Sequence, residues 1–310
     1  IWAWASSNKA VYFNHAPYER IRILEESIAI MREMQTGFSL TWGLRNLAYI
    51  LTHCKGDYQK AYDLLDEASM IERKRGWENR LAEQLIAQSD VCFRLGRIDE
   101  GHRLAEEALQ LALAVEMGFR DHVIDKCYFK LGFVSEIKND LQATKVYLNK
   151  AFQFAKKRIS ILNLYWDSAC YLAHIVHVAV FENRLEDAQK LRDQALRYAS
   201  QVKTDILLNN HFSGLQAEMA LAFGEFEEAQ EYVSQALSFA QEQDRLPSIL
   251  ENLVTLADLL KHQGDITRAA EILGCVKDHP ATGFPVKQKA ETLWLELGQT
   301  VEPVSLESVL

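Results

Sequence analysis

Chain breakers are scarce in this sequence, with 14 glycines and 5 prolines among 310 residues. That scarcity excludes a collagenous, low-complexity or turn-dense all-β chain and leaves helix as the main element. Long apolar runs are missing too. No stretch approaches the roughly 18 uninterrupted apolar residues of a membrane-spanning helix, so no membrane partner is expected. Basic charge is in deficit, 34 Lys and Arg against 43 Asp and Glu, for a net charge of −9. An acidic chain without a basic stripe interleaved with aromatics repels a phosphate backbone, which argues against direct nucleic-acid contact by this segment. The cysteines, Cys54, Cys92, Cys127, Cys170 and Cys275, are odd in number, scattered and free of any C-x-x-C pair. They read as reduced core thiols of a cytoplasmic protein. Catalytic signatures are absent: there is no G-x-x-x-x-G-K-S/T, no G-x-G-x-x-G, no H-E-x-x-H and no G-x-S-x-G. No catalytic residue, metal ligand or cofactor is therefore assigned, and an enzyme is not expected. The chain opens Ile1-Trp2-Ala3-Trp4, without an initiator Met and already in helical pattern, and reads as a segment of a longer polypeptide.

What is present is a repeat. A turn residue, usually Gly, precedes a charged or polar residue, an apolar one, and a small one that opens an amphipathic run. Gly56-Asp57-Tyr58-Gln59-Lys60-Ala61 is the clearest copy, and others begin at Gly96, Asn139, Asn183, Gly224 and Gly264, with a degenerate start near His15. Successive starts fall 41, 40, 43, 44, 41 and 40 residues apart. A fixed period of this kind means a solenoid, whose units bury their apolar faces against their neighbours and which grows by stacking.

Each unit reads as two antiparallel helices, A before the turn and B after it, with apolar residues three and four apart. Tyr128–Val134, the Asn139-Asp140 turn and Leu141 to about Lys157 make one such unit. Gly at the turn suits a left-handed backbone closing helix A, and the acidic residue after it suits the positive end of helix B. Small residues recur where helices must cross closely: Ala48, Ser89, Gly132 and Ala217 in A, then Ala61, Ala188, Ala229 and Ala269 early in B. Ala68, Ala108, Ala151, Ala195 and Ala236 follow seven residues after each B opening.

This pattern resembles the tetratricopeptide repeat over about residues 15–276. It departs in its period, about 40 rather than 34, and in lacking the closing proline of each repeat except at Pro247. Long-period arrays of this type are similar to the C-terminal sensor regions of bacterial signal-transduction ATPases and maltose-activator-like transcription regulators. The stretches Ala270-Glu271-Ile272-Leu273-Gly274, His279-Pro280-Ala281-Thr282 and Lys287–Leu297 resemble the end of such regulators. The resemblance implies an all-α, right-handed superhelix of six to seven helix pairs over residues 1–276. Residues 277–310 follow as a loop, a capping helix of about Val286–Leu297 presenting Ala290, Leu293, Trp294 and Leu297, and a frayed tail from 300.

In such arrays the exposed side of helix A lines the concave groove. The position after the small residue then holds Tyr49, Asp90, Phe133, His177, Glu218 and Asp258; the position three before it holds Arg45, Ile86, Phe129, Ala173, Gly214 and Val254. Arg94, Glu136 and Phe181 lie near the turn, with Lys126 and His211 a turn earlier. The groove candidates are Arg45, Tyr49, Asp90, Arg94, Lys126, Phe129, Phe133, His177 and Glu218. They predict a groove basic and aromatic toward its N-terminal half and acidic at its C-terminal end. Aromatics and Arg are the residue types of binding hot spots, although Phe129, Phe133 and Phe181 also fit packing between repeats. Arg45, Asp90 and Arg94 fit a core poorly, since charges are rarely buried alone. His174 and His177 with Cys170 lack a ligand set of tetrahedral geometry and read as groove or core residues. The pairs Glu25-Glu26, Glu106-Glu107 and Glu227-Glu228 read as solvated helix surface, adjacent residues pointing about 100° apart.

Two functions fit. One is a binding or sensor module for a protein, peptide or small effector, part of a larger bacterial regulator. The other is a scaffold that self-associates through its outer helix faces.

Overall fold

The structure, a computed structural model, describes residues 17–114, 120–162, 165–201, 206–298 and 304–310. Every regular element among them is helical. Helix α1 (Pro17–Glu33) is followed by α2 (Gly37–Ile50), which runs into a wider π turn at Leu51–Lys55, and then by α3 (Tyr58–Arg75). Next come α4 (Glu78–Arg94), α5 (Ile98–Ala114), α6 (Arg120–Ile137), α7 (Leu141–Leu162), α8 (Trp166–Phe181) and α9 (Leu185–Ser200). The array ends with α10 (Ile206–Ala222), α11 (Phe226–Glu242), α12 (Leu246–Gln263) and α13 (Ile266–Asp278). Helices α14 (Phe284–Leu297) and α15 (Leu306–Val309) follow. The pairs from α2/α3 to α12/α13 are six complete units, and α1 is the second helix of another whose start, near His15, lies outside the described residues.

Local chemistry sets these boundaries. Gly56, Gly96, Gly224 and Gly264 all have φ between 71° and 88°, and Asn139 and Asn183 have φ of 56° and 57°. These are the signature positions, and each closes an A helix in the left-handed region where Gly and Asn carry the least steric cost. Asp57, Asp140 and Asp265 then accept the backbone N–H of Lys60, Ala143 and Arg268, capping the B helices. A second set of left-handed residues, Gln35, Gly76 and Asp244, turns B back into the next A. Pro247 opens α12 rather than closing a repeat, where its missing N–H leaves no helical bond unmade. Typical A and B helices of 17 residues each, with short turns, account for the long period.

Side-chain size sets the crossings. Ala61, Ala68, Ala108, Ala151, Ala188, Ala195, Ala229 and Ala269 are all fully buried. Gly101 replaces the first of these alanines in its unit because a Cβ there would overlap the Phe93 ring. Its carbonyl accepts the Ser89 hydroxyl at 2.7 Å. The apolar core is accordingly a chain of clusters, each shared by successive helices, which fits nearest-neighbour stabilisation.

The array does not stay open. Helix α12 of the last unit packs against the π turn at the end of α2, and Lys55 reaches Asp244 at 2.7 Å. The α13–α14 loop enters the gap: Tyr58 donates its hydroxyl to the Ala281 carbonyl at 2.9 Å. Phe284 lies against Gly96. The superhelix is thus a closed ring of six units. Helix α14 buries Ala290 and Leu293 and sets Trp294 against Gly274. It also crosses inward, and its Lys289 pairs with Glu218 of α10 at 2.7 Å. Leu306–Val309 forms a last short helix, where Val309 is buried and Arg268 donates to the carbonyls of Ser308 and Val309.

Candidate functional site

Ring closure converts a groove into a cavity of about 900 Å³, walled by the A helices and by Gly283, Pro285 and Val286 of the loop and α14. Of the nine groove candidates, Arg45, Tyr49, Asp90, Arg94, Lys126, Phe129, Phe133 and Glu218 border it. His177 does not. It lies beyond the cavity end of α8, with Nε2 3.8 Å from the Glu218 carboxylate and within the field of Lys289. Trp166, Cys170 and His174 face the cavity from α8 instead. Burial lowers the pKa of both His174 and His177. The His211 side chain lies outside the described residues. Among the described residues no three His, Cys, Asp or Glu side chains could hold a metal ion.

The charges are paired across repeats. Arg45 bonds Glu83 and lies over the Trp42 ring at 4.8 Å. Asp90 bonds Lys130 and sits 3.2 Å from Arg94. Burial opposes its charge, but Lys130 and Arg94 hold it far below the usual carboxylate range. Glu218 is also opposed by burial, yet Lys289 and His177 bring it down to about 2. The expected polarity gradient is therefore corrected. Glu83, Asp90 and Asp167 interleave with the bases of the N-terminal half, and the acidic Glu218 is neutralised by the terminal helix.

Phe129 stacks on Tyr171 at 4.9 Å and meets His174 at 5.0 Å, and Phe133 meets Phe93 at 5.8 Å, so both pack between repeats and border the cavity. Phe181 does neither, being 75% exposed.

One feature escaped the groove mapping. Arg158 of α7, with a side chain 7% exposed, bonds the fully buried Asp125, Asp167 at 2.6 Å, and His122 Nδ1 at 2.8 Å. Burial pushes Asp125 up to about 7, with Asp167 adding to the rise. Burial, Lys126 and Arg158 push His122 down to about 4. Its signal was an Asp within the apolar stripe Val123, Ile124, Cys127 and Leu131.

No family model and no curated protein matches this sequence. Solved structures do. The apo form of RapI superposes with a TM-score of 0.66 at 12% identity, covering 96% of this chain and all of that one. The Rap conjugation gene regulator of plasmid pLS20, in complex with the Phr* peptide, gives 0.64 at 16% identity, covering 94% and 72%. A signal-transduction ATPase with a tetratricopeptide-repeat sensor, from Pyrococcus horikoshii, gives 0.53 at 13% identity, covering 94% of this chain and 46% of that one. The fold is the tetratricopeptide-repeat superhelix. Among the described residues of this array, no helix is long and apolar enough to cross a membrane.

Proposed function

We propose that the array is a non-catalytic binding and sensing module that takes a protein segment, peptide or small effector in the cavity inside its ring, within a larger bacterial regulator. The observation that carries this is the cavity itself. At about 900 Å³ it falls within the size of ligand pockets, and its wall sets the aromatics Trp42, Phe129, Phe133 and Trp166 among charged side chains that can fix a ligand's orientation. The peptide-bound state of the pLS20 regulator, similar in fold, supports a peptide as occupant. Sensing follows from geometry. A ligand that touches both the A helices and the loop binds the closed ring better than an opened one, and shifts the equilibrium by that difference in affinity.

Ala87, half-buried on the cavity wall, gives the test. Wild type and Ala87→Trp are each incubated with the low-molecular-mass fraction of a bacterial extract, and retained compounds are read by mass spectrometry. A peptide or metabolite held by wild type and lost by Ala87→Trp is the expected result. Equal retention by both would place binding elsewhere. Multimers of the chain with no ligand would favour the outer-face scaffold, for which Phe181 and Leu185, 75% and 51% exposed across one turn, are the side chains to cover.

A further inference from the structure

Pairing accounts for most of the charge on the cavity wall. Arg45 is answered by Glu83, Asp90 by Arg94 and Lys130, Asp167 by Arg158, and Glu218 by Lys289. Two side chains are left over. Lys126 on α6 and Glu251 on α12 both border the cavity, and neither has a hydrogen-bond or ion-pair partner among the described residues. Asp125 and Asp167, the carboxylates near Lys126, are committed to Arg158. Arg94 and Lys289, the cations whose field reaches Glu251, are committed to Asp90 and Glu218.

Position separates the two. Helices α6 and α12 belong to units three apart in a closed ring of six, so Lys126 and Glu251 stand on opposite walls and cannot satisfy each other. Glu251 keeps an exposed side chain, yet desolvation by the surrounding ring outweighs the fields of Arg94 and Lys289 and raises its pKa. With Glu251 exposed and Lys126 half-buried on the cavity wall, both charges are open to a ligand, and a wall meant only for apolar packing would not carry them. A ligand with one cation and one anion answers both groups and leaves the cavity neutral.

We infer that the occupant is a short peptide with free termini, its carboxylate against Lys126 and its ammonium against Glu251. Trp42, Phe129, Phe133 and Trp166 then face its side chains. This rests on the reading of the cavity as a ligand site.

The test uses random short-peptide libraries of one composition in four forms: free, N-acetylated, C-amidated and doubly blocked. Retention on the purified chain is measured by mass spectrometry. The free library should be retained about tenfold or more over either singly blocked form, the order of a charge-assisted hydrogen bond. Glu251→Gln should lose discrimination at the N-terminus alone, and Lys126→Met at the C-terminus alone, while Lys126→Arg keeps it. Circular dichroism and the melting midpoint show whether each variant folds, and Lys126→Arg with wild type carries the comparison should Lys126→Met fail. Equal retention of free and blocked libraries, lost in Ala87→Trp, would overturn the inference while leaving the cavity a ligand site. No retained peptide would overturn it as well, and the extract experiment then decides the cavity reading separately. Discrimination that persists in both Glu251→Gln and Lys126→Met would also overturn it.

Discussion

Gly56→Val is expected to open the ring, whereas Gly224→Val leaves it closed. The two glycines end equivalent helices at nearly the same φ, 71° and 74°. Valine therefore pays a similar left-handed penalty at each, about 1–2 kcal/mol from sterics alone. Their surroundings differ. A Cβ at Gly56 would lie 2.8 Å from both the Cα and the carbonyl oxygen of Ala281, whereas no atom lies within 4 Å of one at Gly224. The clash falls on backbone, which cannot rotate away, and it falls where Tyr58 holds the same carbonyl. Relief requires the Ala281 loop to leave, and with it go the cover over the cavity and the packing of Phe284 on Gly96. Gly56→Val should melt several degrees below Gly224→Val. In solution scattering it should have a larger radius of gyration, with Gly224→Val matching wild type. Identical radii and midpoints for the two would show that the loop does not hold the ring.

The repeat was legible because its causes are local. A left-handed turn residue, a capping Asp and a row of alanines recur at fixed spacing, and each is needed by its own unit whatever the rest does. Closure was not legible for the same reason. Gly56 and Tyr58 look like any other copy of the signature, and only the non-repeating loop at 279–283 makes them different from Gly224 and Phe226. Helical phase placed Arg45, Phe129 and Glu218 on the cavity wall, because the wall is made by one face of each A helix. It misplaced His177, where α14 crosses and Lys289 takes the adjoining position. The pairing of charges was readable in principle. Arg45 with Glu83 and Asp90 with Lys130 are 38 and 40 residues apart, one period each. A search for opposite charges at the repeat spacing finds them, but it also offers Asp167 to Lys126 and Lys289 to Glu251, and only the structure shows those two partners committed to Arg158 and Glu218. The Arg158 cluster follows the same rule less cleanly, joining helices B and A at 33 and 36 residues.

That cluster carries the largest expected loss of stability. Arg158→Met should cost about 3–5 kcal/mol, since removing one partner strands a buried charge, here Asp125 at 0% exposure. Asp125→Asn should behave differently, and its effect depends on pH. One Asp125 oxygen takes the Arg158 bond and the other is buried without a partner, so its charge is only partly compensated and burial raises its pKa to about 7. A raised folded pKa gives stability that is complete below the unfolded value of about 3.9 and is lost as pH rises through the folded one. His122 works in the opposite sense. Held near 4 by burial, Lys126 and Arg158, it contributes stability that is complete above about 6.5 and lost as pH falls through the folded value. Through these two groups the wild-type slopes oppose each other between about pH 4 and 7. Asparagine removes the Asp125 slope and leaves that of His122, so Asp125→Asn should gain on wild type steadily from pH 4 to 7 and hold its gain above. Denaturant midpoints across that range measure the difference. A constant gap between the two proteins from pH 4 to 8 would show that Asp125 is fully ionised throughout, and that Arg158 alone neutralises the cluster.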